Sequence, residues 1–342
     1  MNTGVAQIIG GRYQIIKLLG EGGFGRTYLA EDLYQLGSQY AVKHLTFSSH
    51  NPDQVIKVRE LFKREVETLQ KLNGHPQIPK FFAHIEENQE FYLVQEFIDG
   101  HSFSDEIKAV TKLEEIEVVH FLKDLLTILE FIHSKNIIHR DINPDNIIRR
   151  KDGKLVLIDF GAVKEVITQT QIQKPGTQIY TLGYAPQEQM HGYPRFNSDI
   201  YALGMTAIEA LTGLEPTVLP TNQDGEVIWQ DQAEVSPKLA RILSKMVQDN
   251  CNLRYQSVTD VLIDIDTIAN SSKTQVVVLH QHSSKAANTD KFLCVLLLIS
   301  IIFTIFYAAG WLPEKTETLP QQEQSFLKIS SLTANRKLTI NN

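Results

Sequence analysis

Cysteine is nearly absent from this chain of 342 residues, which contains only Cys251 and Cys294. Two cysteines cannot build a disulfide framework or a cysteine zinc site, and so small a number is consistent with a reducing compartment. Basic residues are also outnumbered, because 33 Lys and Arg stand against 40 Asp and Glu and give a formal net charge of −7. A chain with this balance is not expected to bind nucleic acid as its main activity.

Long apolar runs are scarce as well, and only residues 292–312 form a stretch of 21 residues without charge. As an α-helix this stretch would extend about 31 Å, close to the roughly 30 Å of a bilayer's hydrocarbon core. Tyr307 and Trp311 lie near its C-terminal end, where aromatic side chains commonly meet the membrane interface. A buried core helix is the alternative, but no soluble domain remains around the stretch to bury it. The sequence therefore predicts one transmembrane helix.

Reactive side chains are concentrated in two short segments, His139-Arg140-Asp141-Ile142-Asn143-Pro144-Asp145-Asn146 and Ile158-Asp159-Phe160-Gly161. Asp141 is placed to accept a hydroxyl proton, and Asn146 and Asp159 offer the hard oxygen atoms that magnesium prefers. The spacing between the segments leaves room for a short strand, a tight turn and a return strand. The two segments are therefore expected to meet at one metal–phosphate site.

A glycine-rich turn lies near the start of the chain. Its glycines fit the pattern G-x-G-x-x-G at Gly20, Gly22 and Gly25. This pattern alone is weak, because dinucleotide-binding folds share it. Those folds need a helix directly after the turn, whereas here residues 13–19 and 26–31 both have the pattern of strands. The turn is therefore predicted to join two strands and to close as a flap over phosphates.

Lys43 ends a predicted strand, residues 39–43, and a long amphipathic pattern follows it. Apolar residues recur at spacings of three and four from Pro52 to Leu72, which predicts a helix. A lone lysine on a strand is usually a solvated charge, whereas a buried lysine needs an acidic partner. The acidic candidates on the helix are Glu60, Glu65 and Glu67. The pattern alone leaves open which of the three is the partner of Lys43.

These motifs, in this order, resemble those of the eukaryotic-like protein kinase family, and their wording is most similar to bacterial, especially cyanobacterial, serine/threonine kinases. The resemblance covers residues 13–268. It implies an α+β, two-lobed kinase fold, with a small β-rich N-lobe over residues 13–98 and a large helical C-lobe over residues 99–268. The implied reaction is transfer of the γ-phosphoryl group of ATP to a protein hydroxyl.

The resemblance also implies which residues bind the nucleotide. They are Gly20, Gly22, Gly25, Thr27, Ala41, Lys43, Glu96 and Ile98. Lys43 would hold the α- and β-phosphates and pair with Glu65. The backbone of Glu96 and Ile98 would hydrogen-bond adenine, with Gln95 beside the pocket.

A second implied set carries the chemistry. The catalytic residues are Asp141, Lys43, Glu65 and Asn143. Asp141 would orient the acceptor hydroxyl, and Asn146 and Asp159 would bind Mg²⁺, or Mn²⁺ in its place. Thr181 matches the threonine that contacts the catalytic aspartate in serine/threonine kinases, which favours Ser and Thr as acceptors.

Three further matches concern structure. The segment Ala-Pro-Gln-Glu, which ends at Glu188, resembles the Ala-Pro-Glu motif of the family. Arg254 matches the arginine that pairs with that glutamate. Asp199 matches the aspartate that opens the central helix of the large lobe, although Ser198 or Asp199 also fits an ordinary helix N-cap.

Asn143 departs from the family pattern, which has a lysine at this position that contacts the γ-phosphate. Asparagine brings no positive charge, and the loss of such a contact would raise the barrier by about 2–4 kcal/mol. The alternative function is therefore a nucleotide-binding pseudokinase or signalling scaffold with weak or no transfer. An active kinase is favoured by the five family residues that are intact, Lys43, Glu65, Asp141, Asn146 and Asp159.

The remaining segments suggest a membrane anchor. Residues 269–291 have the composition of a polar linker, residues 292–312 form the predicted span, and residues 313–342 form a short tail. Because ATP is cytosolic, we expect the kinase domain in the cytoplasm and the tail across the membrane. Lys285 and Lys291 agree weakly with this orientation.

A stripe of small side chains runs along the predicted span at Ser300, Thr304 and Ala308. Such stripes let two helices approach closely, so a homodimer is one arrangement open to the chain. Bonding of the hydroxyls to carbonyls of their own helix is the alternative. No motif identifies the protein substrate.

Overall fold

The structure is a computed structural model that describes residues 7–22, 25–45, 52–88, 90–160 and 181–268. The chain divides into two compact units, residues 1–272 and 273–342, and the described residues all lie in the first. The predicted linker, membrane span and tail lie outside the described residues. Among the helices that the structure describes, none combines the length and the apolar character needed to cross a membrane.

The N-terminal part is an antiparallel sheet of six strands in the order β1-β2-β3-β4-β6-β5. Its strands are β1 Ile8–Ile9, β2 Tyr13–Gly22, β3 Gly25–Asp32, β4 Gln39–Leu45, β5 Phe81–Glu87 and β6 Glu90–Glu96. The glycine turn joins β2 to β3, as the sequence predicts. At Gly25 a Cβ atom would lie 1.9 Å from the carbonyl oxygen of His44, so only glycine lets β3 lie this close to β4.

Side chains alternate between the two faces of this sheet. Tyr40 and Val42 of β4 face a small apolar cluster on one side. The residues between and beyond them point the opposite way, together with their direct partners on β3 and β6. This second face, called the Lys43 face below, comprises Thr27, Leu29, Ala41, Lys43 and Gln95.

One long helix, α1, spans Pro52–Leu72, the bounds that the periodicity predicts. Its buried residues include Phe62, Val66 and Leu69, which belong to the same core as Phe91 and Leu93 of β6. The rings of Phe62 and Phe91 lie 4.8 Å apart. This packing holds α1 against the sheet.

The C-terminal part is helical. Its helices are α2 Phe103–Val110, α3 Glu115–Ser134, α4 Gln187–Met190, α5 Phe196–Thr212, α6 Pro237–Met246 and α7 over residues 258–268. Helix α5 lies at the centre, with fifteen of its seventeen residues buried. A Cβ atom on Gly204 would lie 2.7 Å from Val247, so glycine at this position allows α5 to pack closely on the chain that follows α6. A β-rich part and a helical part are therefore present, as the resemblance implies.

A second, three-stranded sheet positions the two reactive segments. Its strands are β7 Gly100–Ser102, β8 Ile147–Arg150 and β9 Leu155–Leu157, in that order. Strand β8 begins directly after the first segment and β9 ends directly before the second. Because β8 and β9 pair antiparallel, with Ile147 opposite Leu157, the two segments meet at one end of this sheet.

The start of α5 differs from the sequence-based expectation. The N-cap is Arg195, not Ser198 or Asp199. The hydroxyl of Ser198 instead accepts a hydrogen bond from the backbone N–H of Arg195 at 3.0 Å. Asp199 is used elsewhere, because its carboxylate accepts hydrogen bonds from a neighbouring loop.

Candidate active site

Residues 139–146, called the catalytic loop below, are fixed to helix α5 through Asp199. The carboxylate of Asp199 accepts hydrogen bonds from the backbone N–H groups of His139 and Arg140, each at 2.9 Å. The ring Nε2 of His133 lies 2.8 Å from the same carboxylate. Asp199 is only 1% exposed, so these bonds form away from competing water. The sequence match found Asp199, but only the structure shows that it holds this loop.

His139 connects the catalytic loop to the segment that contains Asp159. Its Nδ1 accepts a hydrogen bond from the backbone N–H of Asp141 at 3.3 Å, so the ring proton lies on Nε2, which donates to the carbonyl of Ile158 at 3.1 Å. Burial lowers the pKa of His139, although nearby carboxylates including Asp199 act against it. A neutral ring with this tautomer suits both hydrogen bonds.

The carboxylate of Asp141 is held from two sides. The hydroxyl of Thr181 donates to one oxygen at 2.9 Å, which confirms the contact expected from the sequence. The side-chain amide of Asn146 donates to the other oxygen at 2.8 Å and to the backbone carbonyl of Asp141 at 2.7 Å. Asp141 therefore has one defined orientation at the front of the catalytic loop.

Asn143 is buried within the same loop, with 3% of its surface exposed. Its amide oxygen accepts hydrogen bonds from the backbone N–H groups of Asp145 and Asn146. Its amide nitrogen donates to the carbonyl of Asp141 and to the hydroxyl of Thr181. The sequence carried a signal for part of this arrangement, because Asn followed by Pro is typical of a helix N-cap.

The predicted ion pair between Lys43 and Glu65 is not formed. The ammonium of Lys43 instead lies 2.9 Å from the carboxylate of Asp159. Asp159 adopts a left-handed backbone conformation, with φ of 60°, and its carboxylate is the one that reaches Lys43. Burial opposes the charge on Lys43, but Asp159 and Glu65 outweigh it and raise the lysine's pKa.

Glu65 is buried near Lys43, and its Oε2 atom accepts no hydrogen bond from a described residue. Burial raises the pKa of Glu65 to about 7, although the nearby charge of Lys43 acts in the opposite direction. Near neutral pH this carboxyl group is therefore divided between its protonated and ionised forms. An incompletely bonded acid of this kind is expected where a site is completed by something else.

The predicted nucleotide residues gather on and beside the Lys43 face. Thr27 lies directly opposite Lys43 on the neighbouring strand, and Ala41 lies opposite Gln95. Gly20 and Gly22 lie in β2 at the turn that leads into β3. These residues are brought together, as a nucleotide site requires.

Strand β6 ends at Glu96, and Ile98 lies two residues beyond it. The backbone N–H of Glu96 donates to the carbonyl of Lys80 at 2.8 Å, so at Glu96 only the carbonyl is left for adenine. The carboxylate of Glu96 accepts a hydrogen bond from the N–H of Lys80 at 3.2 Å. These bonds tie the end of β6 to the residue before β5.

Asn146 and Asp159 have the chemistry that a magnesium ion needs. Both N–H groups of the Asn146 amide point at Asp141, so the amide oxygen points away, and it accepts no hydrogen bond from a described residue. Asp159 adds a carboxylate that is 36% exposed. An amide oxygen and a carboxylate are hard ligands that fit Mg²⁺. No cluster of three or more His, Cys, Asp or Glu able to hold a metal occurs in the described part of the chain.

Behind the catalytic loop, Arg254 and Glu188 form the ion pair expected from the sequence. The guanidinium lies 2.8 Å from the carboxylate, and the hydroxyl of Ser198 donates to the same oxygen at 2.7 Å. Sequence reasoning missed a second buried contact, in which the hydroxyl of Tyr184 bonds the carboxylate of Glu209. Burial raises the pKa of both groups.

Comparison with known proteins agrees with this geometry. A family model described as "Protein kinase domain" matches residues 13–265. The chain is 42% identical to serine/threonine-protein kinase B of Synechocystis sp. over 264 residues, which are 74% of this chain and 46% of that protein. It is 42% identical to serine/threonine-protein kinase PknA of Nostoc sp. over 265 residues, 75% of this chain and 47% of that protein.

A more distant relative has the same domain. Serine/threonine-protein kinase PrkC of Bacillus subtilis is 30% identical over 279 residues, 77% of this chain and 41% of that protein. The chain thus spans less than half the length of each of these three relatives.

Proposed function

The chain belongs to the protein kinase family, and we propose that it transfers the γ-phosphoryl group of ATP to Ser or Thr hydroxyls of proteins. One observation carries this proposal. The carboxylate of Asp141 is held by Thr181 and Asn146 on a loop that Asp199 fixes to the central helix. A carboxylate that is oriented before the substrate arrives is what proton acceptance from a hydroxyl requires.

The chain's own residues would divide the work as follows. Asp141 would accept a hydrogen bond from the acceptor hydroxyl and fix its direction of attack. Lys43 would offer its ammonium to the phosphates, and Asn146 and Asp159 would hold the metal. ATP would supply the phosphoryl group, and the bound magnesium would offset the negative charge that develops during transfer. Asn143 carries no charge, so the positive charge near the transferring group comes from Lys43 and the metal.

We also propose that the protein is anchored in a membrane by residues 292–312, with the kinase domain in the cytoplasm. The length of this uncharged stretch and its two aromatic residues, Tyr307 and Trp311, support the proposal. Extraction of the full chain from membranes at alkaline pH would test it. An integral membrane protein stays with the lipid during the alkaline wash. Release of the protein into the wash would contradict the proposed anchor. Self-association of the span through the stripe of Ser300, Thr304 and Ala308 belongs to the same proposal.

Transfer of label from γ-labelled ATP and Mg²⁺ to a generic basic protein tests the kinase function. The control is Asp141→Asn, which keeps the size of the side chain but removes the acceptor charge. We expect labelling by the wild-type chain and none above background by the variant. Equal labelling by the two proteins, or no labelling by either, would contradict the kinase function. The alternative, a nucleotide-binding protein that signals without transfer, would then be favoured.

A further inference from the structure

We propose that Asn143 is a positioning residue, which ties Asp141 to Thr181 and does not contact the transferring phosphoryl group. The proposal deepens the kinase function and rests on it. It gives the asparagine a role of its own in this chain, where the family pattern has a lysine that contacts the phosphate. Three features of the described residues carry it: the cap that Asn143 forms, the bridge that it makes, and its saturation.

The first feature is the cap. Asn143 has an extended backbone, with φ of −163° and ψ of 167°, directly before the 3₁₀ helix Pro144–Asn146. Its side-chain oxygen accepts hydrogen bonds from the N–H groups of Asp145 at 3.0 Å and of Asn146 at 3.3 Å. Asparagine is among the best N-cap residues, and proline is favoured at the position that follows. Because both partners are N–H donors, the atom that faces them must be the amide oxygen.

The second feature is the bridge. With the oxygen used in the cap, the amide nitrogen donates to the carbonyl of Asp141 at 3.1 Å and to the hydroxyl of Thr181 at 3.3 Å. That hydroxyl donates in turn to the carboxylate of Asp141 at 2.9 Å. Asn143, Thr181 and Asp141 thus form a closed ring of hydrogen bonds. The ring joins the catalytic loop to Thr181, which follows residues 161–180 in the sequence.

The third feature is saturation. A side-chain amide has two N–H donors and two acceptor positions, and Asn143 uses all four. With 3% of its surface exposed, it could reach a phosphate only by giving up one of these bonds. A lysine in its place could donate but could not accept, so it could not form the cap. Asn143→Lys is therefore expected to lower the rate of transfer, because the charge that it adds comes with a disrupted loop.

Two neutral variants separate the cap from the bridge. Asn143→Ser keeps a good capping oxygen but is too short to donate to Thr181, whereas Asn143→Ala loses both functions. We expect Asn143→Ser to keep the thermal midpoint of the wild type and to lower kcat about tenfold, with the KM for ATP within twofold. Asn143→Ala should show the same fall in kcat together with a lower midpoint.

Thr181 supplies the matching variants. Thr181→Val removes the hydroxyl and should lower kcat as much as Asn143→Ser does. The double variant, Asn143→Ser with Thr181→Val, should be no slower than either single variant, because each substitution alone already breaks the same ring of hydrogen bonds. Thr181→Ser restores a hydroxyl and should recover most of the rate lost in Thr181→Val. If the two reductions in kcat multiply in the double variant, the residues act independently and the proposed ring is contradicted.

Binding of Mg²⁺–ATP to the full chain separates this proposal from the kinase function itself. We expect Asn143→Ser and Asn143→Lys to bind Mg²⁺–ATP within twofold of the wild-type Kd. Tenfold weaker binding by the serine variant, or tenfold tighter binding and faster transfer by the lysine variant, would show a phosphate contact and overturn the proposal. If the wild type transfers no phosphate, the kinase function fails, while the same affinities still decide whether Asn143 touches the nucleotide.

Discussion

The polar groups around Asp141 and those on the side of the Lys43 face differ in how far the described residues complete their hydrogen bonds. Asp199 of α5 accepts two backbone N–H groups of the catalytic loop, Asn143 uses its whole amide, and Asp141 is held from both sides. On the side of the Lys43 face, a buried oxygen of Glu65 accepts no hydrogen bond from the part of the chain that the structure describes, and Lys43 is bonded to Asp159. Asn143 and Glu65 are both buried, with 3% and 2% of their surfaces exposed, so access to water does not explain the difference between these two residues.

The comparison indicates which part of the site exists before the ligand binds. A loop whose polar groups bond one another is preorganised and does not pay for reorganisation during the reaction. A buried acid without a full set of partners is costly in the free protein. We infer that the surroundings of Asp141 are built by folding, whereas the side of the Lys43 face would be completed by the nucleotide and metal proposed to bind there.

Variants on the two sides should separate binding from transfer, and this is the largest effect expected. Asp141→Asn should lower transfer by about a thousandfold, within the usual range for general acid–base groups, and leave the Kd for Mg²⁺–ATP nearly unchanged. Lys43→Met should abolish transfer and also weaken the binding of Mg²⁺–ATP. Titration calorimetry beside the labelling assay measures both quantities. Unchanged affinity in Lys43→Met would show that the Lys43 face does not hold the phosphates.

Asp199→Asn should test how strongly the catalytic loop depends on α5. The side-chain amide of asparagine would place its NH₂ group against a backbone N–H or against the ring of His133. A buried hydrogen-bond donor would then have no acceptor. We expect the free energy of unfolding to fall by about 3 kcal/mol, measured by urea denaturation. The exposed Asp145, in the same loop, supplies the control, since Asp145→Asn should have little effect. Equal stabilities would mean that Asp199 does not hold the loop.

The sequence predicted much of this architecture, because the relevant signals are local. Helix α1 has its predicted bounds, the glycine turn joins two strands, and the pairs Glu188–Arg254 and Asp141–Thr181 are present. Such features follow from periodicity and from motifs.

The partner of Lys43 could not be predicted in the same way. A buried lysine with two carboxylates nearby pairs with the one that the backbone brings closer. Here the left-handed backbone conformation of Asp159 brings its carboxylate to the ammonium of Lys43. Asn143 shows a different failure. Its Asn-Pro cap signal was present, but the sequence interpretation treated the residue as a missing charge.

Glu65 should make stability depend on pH in a particular direction. Its pKa is about 7 in the fold, above the ordinary value of 4.5 for this side chain, so the folded protein binds the extra proton and loses stability as pH rises between these values. Glu65→Gln should match the wild type below pH 4.5 and exceed it by up to about 3 kcal/mol at pH 8 without nucleotide. The exposed Glu67 provides the control Glu67→Gln. If the free energy of unfolding varies with pH in the same way for Glu65→Gln and the wild type, the raised pKa of Glu65 is contradicted.

The smallest effect is expected where α1 meets β5 at the surface. Arg59 pairs with Glu86, and both side chains are exposed. Because water and salt screen such a pair, Arg59→Ala should shift the urea midpoint less than Asp199→Asn does. A larger shift would mean that the position of α1, and so of Glu65, depends on this contact.

Hydrogen exchange of the wild-type chain, with and without a non-hydrolysable Mg²⁺–ATP analogue, tests the comparison most directly. The account predicts that amides of residues 139–146 are already protected in the free protein and change little on binding. Amides of α1 around Glu65 should gain protection when the analogue binds. A catalytic loop that exchanges freely until the analogue is added, beside an α1 that is already fully protected, would contradict the account.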